Sequence, residues 1–236
     1  LGQVKGNLLV GIVSSIGERR DAKALDALVP LLGAQDTAVA AAAASALGKI
    51  GGAKGAEAIG AARPKAGERL KDVLTEAWLR CAESLTAAGH KADAGRIYDT
   101  LFAPDESSHV RVAALAGRLR TLEPADAAKL LVRLIKGEDA KLRVAAVREL
   151  ASVAGQEVTA AIVALLPEVE PALQSLLLGV LTARADAAAA PAIIRLAKGA
   201  KDEGVRVAAI NALAAVGDAS CVPLLGGLAA TPGGPL

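Results

Sequence analysis

Large aromatic side chains are almost missing from this chain: Trp78, Tyr98 and Phe102 are the whole set among 236 residues, and methionine is absent. A globular core normally draws much of its buried area from aromatic rings, so bulk has to come from elsewhere. The 53% hydrophobic content is Ala, Leu, Val and Ile. Alanine has the highest helix propensity and takes up little room between helices. A sheet would ask for aromatic and β-branched residues in alternation. A disordered chain would be less hydrophobic and more highly charged. The composition therefore reads as all-α, with many thin, closely spaced helices.

An excess of one charge is missing too. The chain has 27 basic and 25 acidic residues, a net charge of +2. A nucleic-acid binder gathers basic residues on one face, so no nucleic-acid partner is expected. The longest apolar run, 38–47, already contains Ser45 and falls short of the ~18–20 residues of a membrane span, so no membrane insertion is expected. The two cysteines, Cys81 and Cys221, have no CxxC or His neighbour and read as small buried hydrophobes. His90 and His109 fall at expected turns, without a second ligand at metal spacing. The stretch Gly51-Gly52-Ala53-Lys54-Gly55 lacks the strand and the Gly-Lys-Ser/Thr ending of a phosphate loop and reads as a helix stop. No catalytic, cofactor-binding or metal-binding set is assigned. The absence of Met and the start at Leu1 lead to the expectation that the chain is a segment of a larger bacterial protein.

What is present is repetition. Val110-Arg111-Val112-Ala113-Ala114-Leu115, Leu142-Arg143-Val144-Ala145-Ala146-Val147 and Val205-Arg206-Val207-Ala208-Ala209-Ile210 share one pattern. A copy with Gln for Arg begins at Leu173, another at Val39, and a weaker one at Ala77. The mean step is about 33 residues, the period of a helical solenoid. Val205, Ala208, Ala209, Ala212, Leu213 and Val216 form the stripe of an amphipathic helix; Gly217 ends it and Asp218 is placed to cap the next. First helices precede at 22–32, 92–102, 124–135, 157–166 and 187–197, with Pro30 and Pro223 expected to bend theirs. The boundaries give a half-repeat 1–20, repeats 21–51, 52–89, 90–121, 122–154, 155–185 and 186–217, and a half-repeat 218–230. They form one domain, followed by a linker tail 231–236. Arg63 to Gly67 interrupt repeat three, where a kink or loop is expected. Leu150 and Leu213 are assigned to the core.

The phrases Asp139-Ala-Lys-Leu-Arg143-Val-Ala-Ala and Asp202-Glu-Gly-Val-Arg206-Val-Ala-Ala resemble the HEAT repeat, especially its short bacterial form. The resemblance implies a right-handed α-solenoid of antiparallel helix hairpins. It also implies a ladder between the turn carboxylates Asp36, Asp105, Asp139 and Asp202 and the arginines Arg111, Arg143 and Arg206, interrupted at Ala40, Trp78 and Gln174.

The inner face of such a solenoid, lined by second helices, is its usual binding surface. One row there is Ser45, Glu83, Ala116, Arg148, Gly179 and Asn211, mixed in charge and size. It suits a protein or peptide rather than a polyanion. Glu83, Arg148 and Asn211 are candidate contacts, with Trp78 as a candidate anchor. The function expected is a non-catalytic protein-interaction scaffold, not an enzyme. The alternatives are a domain or subunit of an enzyme, of the lyase or DNA glycosylase kind known among HEAT-like proteins, and a purely structural spacer.

Overall fold

The computed structural model describes residues 4–217 and 219–229, and every regular element among them is helical. The expected cap Asp218 and the tail 231–236 lie outside the described residues. The helices group into two compact units, Leu1–Thr121 and Leu122–Leu236, divided at an expected repeat boundary.

Unit 1 contains α1 (Gly6–Glu18), α2 (Leu25–Leu28), α3 (Thr37–Ile50), α4 (Gly52–Ala62), α5 (Glu68–Ala87), α6 (Lys91–Leu101) and α7 (Ser108–Thr121). Unit 2 contains α8 (Pro124–Ile135), α9 (Ala140–Glu149), α10 (Gln156–Leu165), α11 (Pro171–Arg184), α12 (Ala190–Gly199), α13 (Glu203–Val216) and α14 (Val222–Ala229). In each unit, helices pack on neighbours next or next-but-one in the chain, the arrangement of an α-solenoid. Second helices lie on second helices (α1, α3 and α5 in unit 1, α11 and α13 in unit 2).

Small residues permit this stack. A Cβ added at Gly17 would sit 2.7 Å from the Cα of Ala46, and one at Gly48 would sit 2.8 Å from the Cα of Ala77. The α1, α3 and α5 backbones therefore touch at residues with almost no side chain. Leu150 and Leu213 are buried as expected. In α13 the stripe is shifted slightly: Ile210 is buried and Ala208 only partly so.

Helix ends follow local chemistry. The Asp36, Asp139, Asp186 and Asp202 carboxylates each accept a backbone N–H at a helix start, satisfying donors that have no partner within the helix. Gly51, at φ 75°, ends α3 in a conformation that costs glycine little. Proline sets the irregular parts. Pro30, Pro64 and Pro167 lie in 3-10 segments (Val29–Gly33, Arg63–Lys65 and Leu166–Glu168). Each lacks the N–H for an i to i−4 bond, and its ring crowds that carbonyl, so the chain tightens and turns. The interruption expected at Arg63–Gly67 is this turn. Pro223 differs from expectation: it is the second residue of α14, where a missing N–H costs little.

Candidate functional site

In unit 2 the second helices part. α11 packs along α13 but touches α9 sparsely. The cause is the early end of α9, which has 10 residues against 14 in α11. After Glu149 the chain continues as a short hydrogen-bonded turn rather than as regular helix. The Val153 N–H donates to the Glu149 carbonyl at 3.1 Å, and the Ser152 hydroxyl donates to the same oxygen at 2.9 Å. Along the later turns of α11, Leu176, Gly179, Val180 and Ala183 border a cleft.

Arg184, at the end of α11, holds that turn in place. Its guanidinium donates to the carbonyls of Leu150 at 2.8 Å, Val153 at 2.5 Å and Gly155 at 2.8 Å, and to the Thr159 hydroxyl at 3.1 Å. A hydrogen bond from buried Thr159, helped by the Ala188 N–H, holds the Asp186 carboxyl below its ordinary range.

The cleft left between α9 and α11 has a volume of about 460 Å³. Val147, Leu173 and Val180 form a buried floor. Val144 and Leu176 stand on its walls with 59% and 58% of their surface exposed, unusual for large apolar side chains. Gly179 deepens it, since an added Cβ there would meet nothing within 4 Å. Arg148 and Glu170 are exposed at its edge and have no ion-pair partner among the described residues. Among the described residues no three His, Cys, Asp or Glu side chains converge as metal ligands. This arrangement can bind an apolar body and read a charge at its edge.

The expected row is thus partly assembled: Arg148 and Gly179 share the cleft, while Asn211 on α13 and Glu83 on α5 are exposed elsewhere. Trp78 lies half-buried against α4, where the absence of a side chain at Gly60 admits its ring; an added Cβ would be 2.9 Å from it. Its indole N–H is buried without a partner and borders a 390 Å³ recess with Glu57, Asp93 and Arg96.

The arginines of the repeated phrase reach back to the turn before their helix. Arg111 donates to the Phe102 carbonyl at 3.3 Å, with its guanidinium 5.2 Å from the Phe102 ring centre. Arg143 donates to the Gly137 carbonyl at 2.7 Å. Gln174, read from sequence as an interruption, makes the matching bond to the Leu166 carbonyl at 2.8 Å. The Nε of Arg143 and that of Arg206 are buried without a hydrogen bond.

Sequence reasoning missed a buried polar cluster in unit 1. Arg63 donates two parallel hydrogen bonds to Glu106, at 2.7 and 2.8 Å, and a third to Thr75 at 2.7 Å. This hydrogen bonding by Arg63 holds the Glu106 carboxyl below its ordinary range. The signal available was an arginine just before Pro64 in the irregular repeat.

No family model matches the chain, and no curated protein matches it. Among solved structures, human deoxyhypusine hydroxylase in complex with glycerol is similar over 89% of this chain and 79% of its own, at 21% identity and a TM-score of 0.44. An engineered protein is similar over 88% and 87% of the two chains, at 23% identity and a TM-score of 0.30. The expectation of a non-catalytic scaffold that is not an enzyme is corrected to this extent: the first of these similar chains bears the name of a hydroxylase, and the likeness assigns this chain neither an enzyme's role nor the lack of one. A helical-repeat chain without a legible motif is not thereby set apart from enzymes. At these identities the likeness is one of fold alone: this chain is an all-α structure of helix hairpins stacked in sequence order.

Proposed function

We propose that the chain is a HEAT-type solenoid whose unit 2 recognises another polypeptide, received as an amphipathic helix in the α9/α11 cleft. The observation that carries this reading is the pair Val144 and Leu176, both more than half exposed on the walls of one apolar trough. The α11 residues lining it, Ala172, Leu173, Leu176, Gly179, Val180 and Ala183, recur at helical spacing. They run along the helix for three turns, roughly 16 Å at 1.5 Å per residue. A trough of that form takes the i, i+3, i+4, i+7 edge of a partner helix. Arg148 meets an acidic residue of that partner and Glu170 a basic one, fixing its direction. Recognition of this kind is also required of an enzyme domain or subunit that has to hold its polypeptide partner.

The test is selection of helical peptides from a randomised library against the full chain. Enriched peptides are expected to carry apolar residues at three- and four-residue spacing. Their affinity should fall at least about tenfold for Val144→Asp and for Leu176→Asp, as when the centre of an interface is lost. Gly179→Leu, whose Cβ meets no neighbour and whose side chain would occupy the trough, should do the same with the helical circular dichroism unchanged. Peptides that bind Leu176→Asp and Gly179→Leu as tightly as the parent chain refute the reading.

A further inference from the structure

A larger apolar recess, about 710 Å³, lies between the first helices α8 and α10 of the same unit. An ion pair between Lys136 and Glu168 bridges the two helices at one end. Lys136 stands just past the end of α8 and Glu168 in the 3-10 segment after α10, so the pair closes that end of the groove. Lys129, Arg133 and Lys136 line the groove from the α8 side, and Ala161, Ala164 and Leu165 line it from α10. The remaining acid of the lining, Glu157, is in the first turn of α10, at the other end of that helix from Glu168. Alanines at Ala161 and Ala164, where larger side chains would close the gap, leave the recess its depth.

The three cations of the lining are not equivalent. Lys136 is paired with Glu168, and Lys129 with Asp126 of its own helix at 3.0 Å. Arg133, at the centre, is exposed and has no hydrogen-bond or ion-pair partner among the described residues. One unpaired guanidinium over an apolar floor matches one compact anion on an apolar body. Its planar fork suits the two oxygens of a carboxylate, and the volume falls in the range of small-molecule sites, about 300–1,000 Å³.

We propose that the α8/α10 groove is a binding site for a small amphipathic carboxylate, with its hydrocarbon chain along the alanine-lined floor and its carboxylate on Arg133. The site is separate from the α9/α11 cleft and does not depend on what that cleft binds.

Isothermal titration with decanoate and with decyltrimethylammonium, both below their micelle concentrations, tests it on the full chain. Decanoate is expected to bind saturably, one per chain, and far more tightly than the cation of equal chain length. Arg133→Gln should weaken decanoate about 10- to 100-fold, the value of a charge-assisted pair. Ala164→Phe, at an exposed position that leaves the core untouched, should abolish binding by filling the groove. The proposal is overturned by absence of saturable binding, by equal affinity for the two amphiphiles, or by unchanged decanoate affinity in either variant.

Discussion

Replacing a helical glycine by alanine ordinarily stabilises a helix by about 0.5–1 kcal/mol; in this chain the same change should act in opposite directions at two second-helix positions. At Gly179 in α11 the new Cβ meets nothing within 4 Å, so the full gain is expected. At Gly117 in α7 it would stand 2.2 Å from two ring carbons of Tyr98 and 2.6 Å from its hydroxyl oxygen. Carbon atoms rest near 3.5–4.0 Å, so the ring has to retreat by more than an ångström. Tyr98 is only 1% exposed and has nowhere to turn. Overpacking of a buried site costs about 1–3 kcal/mol, so Gly117→Ala loses about 1–2 kcal/mol after the helix gain. Urea unfolding followed at 222 nm reads both. With a slope of about 1–3 kcal/mol per molar, the midpoint falls by roughly 0.5–1 M for Gly117→Ala and rises by a few tenths for Gly179→Ala. Tyr98→Leu should remove the Gly117→Ala penalty, because the two residues share one space. A Gly117→Ala chain as stable as its parent would mean that the α6/α7 contact is looser than described.

Two further outcomes follow from the buried polar groups. Because Arg63 lowers the Glu106 pKa, the pair stabilises unit 1 fully above the ordinary carboxylate pKa, about 4.3, and ceases to do so as pH falls through the lower folded-state value. The difference in melting temperature between the parent chain and Glu106→Gln should accordingly be largest at pH 7 and shrink by pH 3; a constant difference refutes the pairing. Burial pushes the Cys81 thiol up to about 12, leaving about one in 10⁴ ionised at pH 8. A Cys221→Ser chain should stay unlabelled by iodoacetamide until unfolded in urea, and rapid native labelling would contradict the buried placement.

The repeat was legible because it is written in spacing: Val205 to Val216 names a stripe, and Gly51 and Gly217 mark where helices stop. The cleft was not. It exists because α9 ends at Glu149, and the stretch Glu149-Leu-Ala-Ser-Val153 contains neither glycine nor proline. The turn there is stabilised by Arg184, more than thirty residues later, bonding to carbonyls that carry no side-chain signature. Gln174 shows the converse. By residue type it breaks the arginine column, yet the position needs only one N–H to reach the Leu166 carbonyl, which an amide provides as well. The Arg63–Glu106 pair was hidden by distance along the chain, 43 residues, with no periodic partner to suggest it. Trp78 was noticed as an exception, but the room for its ring comes from Gly60 on another helix.

All three aromatic residues fall between positions 78 and 102, inside unit 1. The chain consequently carries a built-in optical address. Near-ultraviolet absorbance and indole emission report on unit 1 alone, while unit 2 is dark at those wavelengths and contributes only through its peptide bonds. Melting curves recorded in the two spectral regions separate the fates of the two units without any added dye.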